Sequence, residues 1–132
     1  MKTVFASIVG DLFHVGHLNL LCQAKQMGRL VVGVLSDEVV ESYKRKPIIP
    51  QEERFIIVSN IKGVSLAFLQ MELEPNHDFL REHIDIIVHG DDWKDNFPGA
   101  EYMRSIGKEA INLPYFQAQS TTKIIEKIKK EY

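Results

Sequence analysis

The chain has 132 residues, 45% hydrophobic and 26% charged, which is ordinary globular composition for one domain. A chain of this length buries a core without staples. A net charge of −2 gives its surface no general pull on nucleic acid or an anionic membrane, and the single cysteine, Cys22, excludes an intramolecular disulfide and a cysteine-only zinc site.

Met1-Lys2 leads directly into an apolar run, Val4 to Val9, which reads as a buried strand and not as a signal peptide. His17 to Met27 has its apolar residues at helical spacing, with Gly28 placed as the helix C′ residue. Leu30 to Leu35 is continuously apolar, which suits a parallel strand covered on both faces. Ser36-Asp37 caps a short helix through about Ser42. A basic loop follows, Tyr43 to Pro50, with Pro50 just ahead of a helix over Gln51 to Ile61 whose inward face is Phe55, Val58 and Ile61.

Val64 to Leu69 is a third strand and Pro75 to Glu82 a helix. Ile84 to Val88 is a fourth strand that runs into His89-Gly90-Asp91-Asp92-Trp93. Ala100 to Gly107 reads as helix and Ala110 to Leu113 as a fifth strand. Ser120 caps a last helix, Thr121 to Lys130. The strict alternation predicts α/β architecture: one Rossmann-like, doubly wound domain over residues 1–132, with a mostly parallel five-stranded sheet and right-handed crossovers. No apolar run approaches the roughly 18 residues of a membrane span, and a cytoplasmic location is expected.

Four stretches carry chemistry. In Asp11-Leu12-Phe13-His14-Val15-Gly16-His17, two histidines flank a glycine between the first strand and the first helix. In an open α/β sheet, ligands bind at that strand end. A helix N-terminus is an anion site, and Gly16 admits phosphate oxygens to the backbone. Two imidazoles can then hold a phosphate and stabilise charge building on phosphorus. Zinc is a poorer fit, since His89 is the one further candidate ligand.

Lys44-Arg45-Lys46 is either a solvated face or a loop that swings a lysine over a triphosphate. Gly90-Asp91-Asp92-Trp93 is either a plain turn or a set of acceptors for a ribose hydroxyl or base amine, with Trp93 shaping the pocket. Ser120-Thr121-Thr122 is a helix cap and can also cradle phosphate through its N–H groups and hydroxyls.

Together these stretches resemble the small cytidylyltransferases of the H-x-G-H nucleotidyltransferase superfamily over nearly the full chain. The matching pieces are residues 11–17, the Lys44 and Lys46 loop, Glu53-Arg54, Gly90-Asp91-Asp92-Trp93 and Ser120-Thr121-Thr122-Lys123-Ile124. Gly-Asp-Asp-Trp is similar to the glycerol-3-phosphate cytidylyltransferases. Lys46-Pro47-Ile48-Ile49-Pro50 with Glu53-Arg54, and Leu113-Pro114-Tyr115 ahead of Ser120, look closer to the cytidylyltransferases of phosphonate pathways.

The resemblance implies a homodimer that uses CTP with Mg2+ bound through the nucleotide phosphates. A small phosphate or phosphonate attacks the α-phosphorus and pyrophosphate leaves. It implies His14 and His17 as stabilisers of the α-phosphate, and Lys44 or Lys46 as the bridge between triphosphate and acceptor. Val9, Gly10, Asp11 and Gly16 line the nucleotide site. Arg54, Gly90, Asp91, Asp92 and Trp93 hold base or ribose, and Ser120, Thr121 and Thr122 hold phosphates. No protein-bound metal, nucleic acid or membrane is expected, and the helix of Arg54, with Phe55 and Ile56, is the expected dimer face.

The chain departs from the family pattern in two places. Val9 lacks the hydroxyl usual beside the phosphates, and Tyr115, Phe116, Gln117 and Ala118 stand where glycerol-phosphate enzymes carry an arginine and Thr-Glu-Gly. Losing that bidentate clamp moves weight from glycerol 3-phosphate toward another phosphorylated or phosphonylated molecule. The alternatives are an adenylyltransferase of the same superfamily, FAD-synthase-like and acting on ATP and FMN, and a non-catalytic nucleotide-binding module.

Overall fold

The five apolar runs become five parallel strands in a computed structural model that describes residues 1–114 and 119–132. The departures at Tyr115, Phe116, Gln117 and Ala118 therefore lie outside the described residues. The strands are β1 (Thr3–Ile8), β2 (Arg29–Leu35), β3 (Val64–Gln70), β4 (Ile86–His89) and β5 (Glu109–Asn112). The helices are α1 (Val15–Lys25), α2 (Asp37–Glu41), α3 (Gln51–Ser59), α4 (His77–His83), α5 (Ala100–Ser105) and α6 (Thr121–Glu131). A 3-10 turn, Asp91–Trp93, follows β4.

The sheet order is β3-β2-β1-β4-β5, and every pairing is parallel. The chain winds outward from β1 to β3, then crosses back to lay β4 on the other side of β1. This order reverses between β1 and β4, which opens a crevice at their C-terminal ends. Those two ends carry the two most distinctive sequence stretches.

Strand alternation explains the unbroken hydrophobic runs. Val4, Ala6 and Ile8 of β1 pack with Leu21 and Ala24 of α1 and Val58 of α3 on one face of the sheet. Phe5 and Val31 pack on the other face with Leu80 of α4 and Ala100 and Met103 of α5. Both faces are covered, so no polar alternation survives in β1 and β2. Among the described residues, no helix is long and apolar enough to cross a membrane.

Three sequence expectations shift. Helix α1 begins at Val15 because His14 caps it. Its C-cap is Gln26, so Gly28 is not the C′ residue. Gly28 is instead required by crowding: a Cβ there would lie 2.2 Å from the Lys2 carbonyl oxygen. Helix α4 starts two residues after Pro75, where the Asn76 side chain accepts from Phe79 N–H at 2.9 Å.

Candidate active site

The H-x-G-H turn is built by its own capping bonds. Gly10 sits at φ +69, a conformation that favours glycine, and Leu12 at φ +48 stores strain in the same turn. His14 Nδ1 accepts from Gly16 N–H at 3.0 Å, and the main-chain N–H of His14 donates to His17 Nδ1 at 3.1 Å. An N–H can only donate, so both Nδ1 atoms are unprotonated and each neutral ring carries its proton on Nε2. The bonds that start the helix thus also fix both tautomers.

His17 is held neutral. Burial, then the neighbouring His14, pushes its pKa down to about 4, and burial lowers that of His14 as well. The two rings lie 4.0 Å apart, with His17 also stacked on Phe13 at 5.1 Å. His14 Nε2 lies 3.3 Å from the Thr121 hydroxyl, which donates its proton to the Asp11 carbonyl oxygen at 2.9 Å. This relay ties the N-terminus of α6 to the turn before α1. Two helix N-termini then converge where an anion would sit.

Gly16 is also required by crowding, apart from any access for phosphate. A Cβ there would lie 2.7 Å from His14 Cε1 and 3.2 Å from the Gln119 carbonyl oxygen. The space belongs to the His14 ring and the segment entering α6.

The basic loop is latched to the end of β1. Asp11 is buried, and its two carboxylate oxygens accept from Ile48 N–H and Ile49 N–H, each at 2.9 Å. Arg54 is fully buried. Its guanidinium donates to the carbonyls of Ile49, Val9 and Leu35 and to Asp37 Oδ1 at 2.6 Å. Asp37 and Gln51 exchange a further pair of bonds between α2 and α3. The expectation that Arg54 holds base or ribose is therefore corrected: it is a tie between the ends of β1, β2 and the loop, with no surface to offer a ligand. Likewise, both Asp11 carboxylate oxygens serve the loop, although the residue borders the cavity.

At the end of β4, Asp91 accepts from Asn112 Nδ2 at 2.7 Å and so faces β5. Trp93 packs on Tyr43 of the basic loop, with ring centroids 5.6 Å apart. Burial, then the nearby Asp92 charge, pushes the Tyr43 pKa up to about 12, so the phenol keeps its proton. At the start of α6, Ser120 accepts from Lys123 N–H at 3.1 Å as a cap, and Thr122 is exposed.

A cavity of about 680 Å³ joins these parts. Val9, Asp11, His14, Gly16 and His17 line it from β1 and α1. Lys44 lines it from the loop, Gly90 and Asp92 from β4, and Ser120, Thr121 and Thr122 from α6. Gly10, Lys46, Arg54, Asp91 and Trp93 are not on its wall. Lys46 is exposed outside it, whereas Arg45 borders it. Tyr43, His89, Asn19 and Gln119 also border it. Arg45 and Tyr43 flank Lys44 in the chain, so their loop was the signal. His89 ends a strand at the crevice and was legible on that ground.

A cytidylyltransferase-like family model matches residues 11–127. Glycerol-3-phosphate cytidylyltransferase of Bacillus subtilis (strain 168) is 35% identical over 97% of this chain and 98% of its own length. FAD synthase of Methanobrevibacter smithii is 36% identical over 98% of this chain and 92% of its own length. The bifunctional protein HldE of Klebsiella pneumoniae is 32% identical, and this chain spans 28% of its length. A crystal structure of the lipopolysaccharide core biosynthesis protein from Thermoplasma volcanium GSS1 superposes with a TM-score of 0.76 at 28% identity, covering 89% of this chain and 99% of that one. The chain belongs to the cytidylyltransferase-like family of nucleotidyltransferase enzymes.

Proposed function

We propose that this chain transfers CMP from CTP to a small phosphate or phosphonate, with release of pyrophosphate. One observation carries the proposal: two neutral imidazoles, 4.0 Å apart and with fixed tautomers, meet two helix N-termini in one cavity. An acceptor oxygen forms the new bond to the α-phosphorus, and the bond from that phosphorus to the bridging oxygen of pyrophosphate breaks. His17 Nε2–H donates to an oxygen of the α-phosphate, where charge accumulates in the transition state. His14 Nε2–H joins it by exchanging its Thr121 bond for the phosphate. Because both rings stay neutral, they act as donors and not as acids. Lys44 and Arg45 neutralise the triphosphate and the incoming anion.

A magnesium ion carried by the triphosphate oxygens would supply further charge neutralisation there. A second copy of the chain is proposed to cover α3 and the edge strand β3, where Ile56 is 58% and Leu66 50% exposed.

A second reading, adenylyl transfer to FMN, is favoured by the FAD synthase relative. Pyrophosphate release tests both, with four nucleoside triphosphates each paired with glycerol 3-phosphate, hydroxyalkyl and aminoalkyl phosphonates, and FMN. Turnover that requires CTP is expected. Turnover with ATP and FMN but none with CTP would replace the first proposal by the second. Nucleotide binding without turnover in any pairing would leave a binding module.

A further inference from the structure

His89 ends β4 at the crevice and borders the same cavity as His14 and His17. Its backbone is fixed, because its carbonyl accepts from Leu113 N–H at 2.8 Å. Its ring stacks on buried Phe97, with centroids 5.3 Å apart and planes 24° apart. Nδ1 lies 3.0 Å from the Gly90 carbonyl oxygen. A carbonyl oxygen accepts only, so here Nδ1 carries the proton and Nε2 keeps its lone pair. Burial favours this neutral ring.

The tautomer is therefore opposite to that of the other two histidines. His14 and His17 present N–H donors suited to phosphate oxygens; His89 presents an acceptor, which a phosphate oxygen cannot satisfy. No described residue bonds to Nε2, and His89 is a residue of the cavity wall. Asp92, another acceptor, borders the cavity beside it.

We propose that His89 Nε2 accepts a hydrogen bond from an uncharged donor of the bound nucleoside, a ribose hydroxyl or the exocyclic amine of the base. The inference rests on the nucleotide site proposed above and adds the residue that reads the nucleoside. In this role His89 raises affinity for the nucleotide and leaves the transferring phosphorus to the other two rings.

The experiment compares the wild type with His89→Phe, which keeps the stack on Phe97 and loses the acceptor, and with His89→Gln, whose side-chain oxygen can accept. Calorimetry measures the affinity of CTP, 2′-deoxy-CTP, 3′-deoxy-CTP and UTP for each, and steady-state kinetics adds KM and kcat. The expected result is about a tenfold loss of CTP affinity in His89→Phe, the worth of one neutral hydrogen bond. KM rises accordingly, kcat stays nearly unchanged, and His89→Gln recovers part of the loss. The loss disappears with the one analogue that lacks the donor, which separates ribose from base. Unchanged CTP affinity in His89→Phe, or equal losses for all four nucleotides, would overturn the inference. Wild type that binds CTP without turning it over would overturn the transfer reaction while this comparison still stood; wild type that binds no nucleotide would overturn both.

Discussion

The main-chain N–H of His14 donates to Nδ1 of His17 at 3.1 Å, so the residue that caps α1 also decides where its neighbour's proton resides. The bonds that start the helix also set the donors that the proposed phosphate chemistry uses. A substitution that preserves the cap can therefore be separated from one that preserves the donor.

His17→Ala removes the Nε2–H proposed to donate to the α-phosphate. By analogy with losing one preorganised donor, kcat is expected to fall about 10²–10³-fold. The lost cap bond costs about 1 kcal/mol. Circular dichroism should show the fold retained. Activity within a few-fold of wild type would remove His17 from the reaction.

The same histidine sets a pH dependence. His17 titrates at about 4 in the folded chain and near 6.5 unfolded, so the unfolded chain binds the extra proton between those values. Stability present above about pH 6.5 is lost as pH falls toward 4. The upper bound for this group is about 3 kcal/mol. Urea unfolding at pH 7, 6, 5 and 4 checks it: His17→Asn should show a shallower decline than wild type over that window.

Arg54→Met leaves the carbonyls of Val9, Leu35 and Ile49 without their donor and Asp37 without its cation. Breaking a buried pair from one side costs about 3–5 kcal/mol. Arg54→Lys is expected to recover little, since a single ammonium does not reproduce the planar fork that spans four partners. Urea midpoints at pH 7 measure both, and a near-wild-type Arg54→Met would contradict the tie described here.

Asp11→Ala frees the N–H groups of Ile48 and Ile49. The loop carrying Lys44, Arg45 and Lys46 then loses its anchor to β1. Limited trypsin digestion reads this directly, because trypsin cuts after those residues. Cleavage in the loop should accelerate about tenfold or more, on the scale of two lost main-chain hydrogen bonds. Equal cleavage rates in variant and wild type would show the loop held by other contacts.

Much of this architecture was legible because its signals are local. Val4 to Val9 and Leu30 to Leu35 are apolar throughout, and both faces of those strands are covered. The turn from His14 to His17 and the cap at Ser120 form their bonds within a few residues. Arg54 was misplaced for the opposite reason. A charged side chain in the chain is assigned to solvent or ligand by default, and nothing local states that three carbonyls and an aspartate will surround it. Gly28 read as a helix terminator because its true neighbour, Lys2, lies 26 residues away along the chain.

The sequence by itself determined the order of strands and helices, the covered faces of the sheet and the caps of α1 and α6, since each depends on spacing or on bonds a few residues long. Only the tertiary structure decided which charges reach the cavity, which are consumed in ties, and which ring nitrogen each histidine presents. Those outcomes depend on partners that the fold brings together from distant parts of the chain, such as Ile48 and Ile49 on Asp11 and Thr121 on His14. A hydrogen bond is directional, and its partner is fixed by the fold and not by distance along the chain.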